Sequence, residues 1–369
     1  MEEIDELFED LEDPRSGNAT LHPLHEILMI ALCTVLCGGE SCSDMALFGR
    51  AKREFLEQFL ALENGVPSHD TFSRVFRLLD PERFHRWFVE YMKRFAETCE
   101  GVVAIDGKTL RRSHDRASGL SPLHLVNAWA TDYSLALGQL AVDDKSNEIV
   151  AIPKLLELLS LKGRTVSIDA IGCQRDIAQS IIGQGAGYVL ALKGNQGTLF
   201  EDVSLFLTDP QTPLATARSV DKGHGRIETR EAAVSTDIAW LQARHGWPGL
   251  QAIGKITATR EINGAASRET RYYLLSRAET PERLNDTVRS HWTIENRLHW
   301  VLDVVFDEDQ ARNRKGHGPE NLSLLRKLAL NLAKLDTSRG SMKSKLKRAG
   351  WDNAFLANLI AKFAEVHVR

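Results

Sequence analysis

Between Gly101 and Leu192 the chain alternates apolar β-type runs with helical patterns in an order that few folds accept. Val102–Ile105, Leu125–Thr131 and Leu135–Val142 are strand candidates, and the short turn Asp132-Tyr133-Ser134 joins the last two. Ile149–Leu161 has the spacing of an amphipathic helix. Thr165–Ile168 is a fourth strand, Gln174–Ile182 a second helix and Tyr188–Leu192 a fifth strand. The order βββαβαβ predicts an α/β fold, a mixed sheet with helices on its faces. Ligands in such sheets gather beyond the carboxyl ends of parallel strands. Asp106, Asp169 and the run Lys193-Gly194-Asn195-Gln196 all follow strand ends.

The flanking sequence divides the chain further. Residues 1–98 read as an all-helical N-terminal domain. A buried helix runs from about Leu24 to Cys37 and stops at Gly38-Gly39. Another starts at Ser43 or Asp44 and runs toward Phe59. Ser68 is a good N-cap for a helix over His69–Leu79, ended by Asp80-Pro81, and Phe84–Thr98 forms a further helix. Residues 99–197 hold the mixed sheet. Residues 198–280 read as a β-rich insertion with strand segments Glu228–Thr236, Gln251–Glu261 and Thr270–Ser276. In the last part, 281–369, Thr280-Pro281 supplies an N-cap and first helical residue for a helix reaching about Phe306. Two more helices follow, roughly 320–335 and 352–365.

The chain has 369 residues, 43% of them apolar, which supports a sizeable core and two or three domains. A formal net charge of −4 excludes a simple nucleic-acid-coating protein. The cations are instead clustered, at Lys108-Arg111-Arg112, at Arg312-Arg314-Lys315 and from Arg339 through Arg348, as suits a polyanion held at defined places. Five cysteines without a CxxC pair point to a reducing compartment rather than a disulfide framework or zinc site. The apolar run Ile27–Cys37 is too short to span a bilayer. A soluble, cytoplasmic protein with no membrane partner is expected.

Three acids stand out. Asp106 in VVAIDGK and Asp169 in TVSIDAIG each end an apolar run. Glu295 in HWTIENRLHW falls on the stripe Leu284, Val288, Glu295, Leu298, Leu302 at helical spacing. A carboxylate aimed at a buried face is costly unless its charge is compensated. A lone aspartate after a strand is ordinarily a turn or helix cap. Three acids at the ends of core elements are what a pair of divalent metal ions needs. His299 shares the Glu295 face, either as a donor to a metal-bound carboxylate or as a satisfied core histidine. Asp303, Asp307, Glu308 and Asp309 lack calcium-loop spacing and read as a salt-bridging cluster at a helix end, with Asp303 near enough to assist.

Taken together, AIDGKTLRRS, SIDAIGCQ, YVLALKGNQ, DKGHGRIETR and HWTIENRLHWVLDVVFDED resemble the Asp-Asp-Glu transposases of bacterial insertion sequences. The branch is that of the H-repeat-associated proteins, the ISAs type, and the resemblance covers nearly the whole chain, including HPLHEIL and PSHDTFSRVF. It implies a ribonuclease H-like core with a β insertion before the last catalytic helix. It also implies two Mg²⁺ or Mn²⁺ ions held by Asp106, Asp169 and Glu295. The activity implied is metal-dependent phosphodiester cleavage and strand transfer at insertion-sequence ends. The partners implied are terminal inverted repeats and target DNA, with a homodimer on the DNA. The chain departs from many relatives before and after the catalytic glutamate. Val288 and His291 stand where Tyr and Arg are usual, and Trp300 to Asp303 where Lys is usual. Two alternatives share these residues: a nuclease on the same fold that cuts without joining, and a domesticated relative that only binds DNA.

Candidate DNA contacts follow from charge and position. Lys108, Arg111 and Arg112 come directly after the first aspartate and can hold flanking phosphates. Lys193 and Asn195 end the fifth strand. His224, Arg226 and Arg230 open an insertion strand, on which Glu228 and Arg230 share one face; they suit either an exposed strand or a grip on the transposon end. His291, when protonated, can contact a phosphate. The helix opened by Ser68 resembles the second helix of a helix-turn-helix, whose first residues reach base edges.

Overall fold

A computed structural model describes residues 8, 11–96, 101–114, 119, 121–142, 148–223 and 225–364. The acidic residues Glu2 to Glu9, His224 and Cys99 lie outside the described residues.

Helix α1 (Leu24–Leu36) is apolar apart from His25, Glu26 and Thr34, and all of its residues except His25 are buried, so it sits inside the helical layer rather than on it. Helix α2 (Cys42–Ala51) begins with a capping box between Ser41 and Asp44. Helix α3 (His69–Leu78) begins as expected at Ser68, whose hydroxyl accepts the Thr71 N–H at 3.3 Å. Helix α4 (Pro81–Ala96) starts three residues earlier than the sequence reading placed it. Asp80-Pro81 follows the end of α3 as expected, and Pro81 also opens the next helix. Its missing N–H is one a first-turn residue does not need, and the Asp80 carboxylate accepts the Glu82 N–H at 2.9 Å.

Strands β1 (Val102–Thr109), β2 (His124–Ala130) and β3 (Leu135–Val142) form an antiparallel meander. Helix α5 (Glu148–Leu158) leads to β4 (Thr165–Ile168), parallel to β1. Helix α6 (Arg175–Gly183) leads to β5 (Gly187–Leu192), parallel to β4. The order β3-β2-β1-β4-β5 is the ribonuclease H-like sheet. Helix α7 (Thr198–Thr208) then opens the insertion, followed by β6 (Ala215–Gly223), β7 (Arg226–Ser235), α8 (Ala239–His245), β8 (Ala252–Ile262) and β9 (Ala265–Leu275).

The insertion does not stand apart from the core sheet. Strand β9 pairs antiparallel with β5, and the whole is one nine-stranded sheet, β3-β2-β1-β4-β5-β9-β8-β7-β6. The sequence reading missed β6, whose residues are mostly exposed on both faces and so lack the alternation that marks a strand.

Helix α9 (Pro281–His291) packs across one sheet face, against β1, β4 and β5 of the core and β6, β7 and β8 of the insertion. The expected single helix to Phe306 is instead α9, a turn at Trp292, a π-helical turn Glu295–His299, and α10 (Trp300–Val304). Three helices close the chain: α11 (Gly318–Leu335), α12 (Met342–Trp351) and α13 (Asn353–Ala364). Helix α11 is buried among α1, α3, α4 and β3. One apolar core therefore runs from Phe8 through the sheet to Ile360. Alternation along β1 separates the two sheet faces. A side chain at Gly107 would strike Glu148 of α5 on one face, while Asp106 looks toward the α9 side on the other.

Candidate metal centre

Asp106 lies inside β1 rather than after it, because the strand continues to Thr109. Parallel pairing matches Ile105 of β1 to Ile168 of β4, so the next residues, Asp106 and Asp169, are neighbours across the pair. The Asp169 carboxylate accepts the Ile171 N–H at 3.0 Å and closes the turn after β4. That turn is clamped from the end of β5: the Asn195 amide donates to the Ala170 carbonyl at 2.8 Å, and the Gln196 amide to the Cys173 carbonyl at 2.6 Å. Asn195, expected at the DNA, thus has its amide committed to holding the loop that carries Asp169. Lys193 beside it is exposed at the cleft.

Glu295 corrects the expectation of a carboxylate on the buried stripe. Leu284, Val288, Leu298 and Leu302 are buried as expected, but the buried residue at the intervening turn is Ile294. The widened turn beginning at Glu295 sets that side chain at the rim of the apolar stripe, half-exposed. It borders the aspartates at the open mouth of the cleft: Asp106, Asp169 and Glu295 line one cleft of about 290 Å³. A π-turn at such a place is a common functional adaptation of a helix. Possible ligand atoms of Asp106, Glu295 and His299 all lie within 4.8 Å of one another.

His299 is buried behind the acids. Its Nδ1 is 3.6 Å from Asp106 Oδ2 and 4.0 Å from Glu295 Oε2, and the Asn127 amide approaches its Nε2 at 3.4 Å. Burial, with Lys108 and Lys327 nearby, pushes its pKa down to about 3, so the ring is neutral. An Asn127 amide donating to Nε2 leaves the ring proton on Nδ1, facing the carboxylates. Asp106 shifts the other way. Burial first, then the charges of Glu295 and Asp169, raise its pKa to about 8. Near neutral pH the cleft holds more negative charge than it can keep ionised without a cation.

Several expected DNA contacts are placed differently. Lys108 is buried, with its ammonium 2.5 Å from Asp303 and 2.6 Å from Glu308, so it holds the end of α10 to β1 instead of meeting phosphate. Asp303 is thereby the salt-bridging partner and not a fourth acid in the cleft. Glu308 also accepts the Ser323 hydroxyl, and Ser323 in turn accepts from Lys327 of α11. His291 is held near a pKa of 4 by burial and lies 3.0 Å from the Ser167 hydroxyl, so it is neutral and offers no charge to a phosphate. Arg226 and Arg230 flank a buried Glu228, which Arg260 also reaches, so the strand face is not a simple exposed one. Arg111 is exposed and pairs with Asp309, while Arg112 is exposed. The sequence reading did not single out Arg271, whose guanidinium sits 5.0 Å over the Trp292 ring at the cleft wall. It reaches the site only because β9 pairs with β5, and no periodicity signals that pairing.

Residues 97–332 match the family described as Transposase DDE domain, and residues 6–92 match its associated domain, DDE_Tnp_1-associated. A protein of Escherichia coli K12, YhhI, named as an H repeat-associated candidate transposase, is 37% identical over 351 residues, 92% of this chain and 93% of that protein. An uncharacterised protein from the dhlA 3′ region of Xanthobacter autotrophicus is 47% identical over 279 residues, 74% of this chain and 94% of its own length. Among solved structures, a synaptic complex of piggyBac transposase with hairpin DNA aligns with a TM-score of 0.42 at 10% identity, over 100% of this chain and 78% of that one.

Proposed function

The chain belongs to the DDE-domain transposases, in the branch of the H-repeat-associated proteins, and on that premise we propose that its acid cleft cuts and joins DNA with two divalent metal ions. The observation that carries this reading is the meeting of Asp106, Asp169 and Glu295 at one cleft from three separate elements. The donor set suits Mg²⁺ or Mn²⁺: hard carboxylate oxygens, one of them on Asp106, whose pKa burial and like charge raise, so that a cation there would offset the crowding. Asp106, on the central core strand β1, would hold both ions, with Asp169 holding one and Glu295 the other. When bound, such ions activate the attacking oxygen and offset charge on the scissile phosphate and leaving oxygen.

The chain's own residues supply the rest. Strand β1 fixes Asp106 through pairing on both sides, with Asn127 of β2 opposite it. Asn195 and Gln196 hold the turn after Asp169. His299 orients the Asp106 and Glu295 carboxylates with its neutral ring. Lys193 borders the cleft as a positive charge for a nucleic-acid backbone, while Arg271, paired with Glu269, forms its wall. The substrate is the end of an insertion sequence, and the acceptor is a second DNA.

Joining is what separates a transposase from a nuclease on the same fold. The test offers wild-type protein and Mg²⁺ a pre-cut insertion-sequence end with a free 3′-hydroxyl, together with a supercoiled plasmid. Covalent end–plasmid products are expected. Cleavage of uncut ends without any joined product would favour the nuclease reading.

A further inference from the structure

Three cationic segments that are distant in sequence meet on one face beyond the acid cleft. The first is the β1–β2 connection with Arg112, the second the loop between α10 and α11 with Arg312 and Lys315, and the third the exposed side of α3 with Arg74 and Arg77. Their contact is direct. Arg314 donates from Nε to the Arg112 carbonyl at 2.9 Å, and the His317 N–H donates to the Arg77 carbonyl at 3.2 Å. Gly316 permits that approach. It has a φ of +53°, and a Cβ there would stand 2.6 Å from the Arg77 carbonyl oxygen. The Asn321 amide donates to the Phe76 and Leu79 carbonyls and pins the end of α3 to the start of α11. The charges are therefore carried on fixed backbone.

Their charges are uncompensated. Arg74, Arg77, Arg112, Arg312 and Lys315 are exposed and form no ion pair with any carboxylate among the described residues. Other exposed arginines do meet carboxylates, as in Arg53–Glu57 and Arg289–Asp221. Five unpaired cations held together repel one another unless an extended polyanion lies across them.

We infer that this face binds duplex DNA through its phosphates, without reading sequence, on the stretch flanking the cleavage point. The inference rests on the proposed cutting of DNA at the Asp106 cleft, since that places the duplex. From Asp106 to Arg112 the chain spans at most about 20 Å at strand rise. That corresponds to roughly six base pairs of B-DNA at 3.4 Å each. Phosphate contacts should begin within about that distance of the scissile bond.

The test compares the full-length chain with its Arg112→Ala/Arg312→Ala/Lys315→Ala variant. Fluorescence anisotropy is read on two duplexes of a few helical turns, one carrying the insertion-sequence end and one a scrambled sequence. The variant should bind both about tenfold or more weakly, and its log–log salt slope should be shallower by roughly 2.7, from three contacts at about 0.9 each. Arg74→Ala/Arg77→Ala, on a different element, should shift both duplexes the same way. Wild-type affinity and slope in both variants would overturn the inference. So would a loss confined to the end-carrying duplex, which would mean base readout. Wild-type cleavage with Mg²⁺ is scored separately. Absence of cleavage with these binding losses intact would sink the catalytic reading and leave this face standing; cleavage with unchanged variant binding would do the reverse.

Discussion

At the scale of single residues, the site is defined by charges in places where charge is costly. Asp106 has its pKa raised to about 8 by burial and by Glu295 and Asp169. A raised carboxyl pKa means the metal-free fold is relatively favoured at low pH and loses that advantage as pH rises from about 4 toward 8. Asp106→Asn should therefore stabilise the metal-free protein at pH 8, by something on the order of a few kcal/mol, and leave it nearly unchanged at pH 4. Thermal melts in chelator at the two pH values check this; equal shifts at both would show that Asp106 is not crowded. Lys108 makes the opposite case. Its ammonium lies between Asp303 and the fully buried Glu308. Lys108→Met should destabilise the fold by about 3–5 kcal/mol by stranding that carboxylate, and Lys108→Met/Glu308→Gln should recover much of the loss. Denaturant titration reads both, while DNA affinity of the folded single variant should stay near wild type. A large affinity loss without destabilisation would return Lys108 to the phosphate contacts.

At the scale of elements, the βββαβαβ order was legible because each core strand is a short apolar run bounded by turn chemistry. Asp106 and Asp169 were legible because each interrupts or ends such a run. Parallel pairing of Ile105 with Ile168 then makes them neighbours. Three things were not legible. Strand β6 is polar on both faces. The pairing of β9 with β5 depends on contacts far apart in sequence. The π-turn at Glu295 depends on which residue the core accepts, and it takes Ile294. Lys108 was misread for a related reason: its acidic partners come from the other end of the chain. Close packing of β1 on α5 gives a further prediction. A methyl group at Gly107 would stand 2.4 Å from Glu148 Oε1 and 2.6 Å from His124 Nε2, within a buried pair. Gly107→Ala should cost about 1–3 kcal/mol of stability, as overpacking does. An unchanged urea midpoint would mean that α5 yields easily there.

At the scale of the whole molecule, the N-terminal helices pack into the same core as the sheet. Helices α1, α3 and α4 and the C-terminal α11 share one apolar core with the sheet, and α11 rests on β3. A chain beginning near Gly101 should therefore lose cooperative unfolding, with calorimetry showing no sharp transition; a sharp one would restore an independent N-terminal domain. DNA-end recognition by this region is better tested with surface substitutions in the intact protein. The same shared core makes the acid cleft a property of the entire fold: β1 and β4 supply Asp106 and Asp169, and the π-turn beyond α9 supplies Glu295. The most direct measurement follows Mg²⁺-dependent cleavage of a duplex carrying the insertion-sequence end, by the wild type and by Asp106→Asn, Asp169→Asn and Glu295→Gln. Cleavage is expected only with wild-type protein and only with the metal added, while all three variants still bind the duplex. Near wild-type cleavage by any one variant, or undiminished cleavage in chelator, would contradict the assignment of these three residues to a shared metal centre.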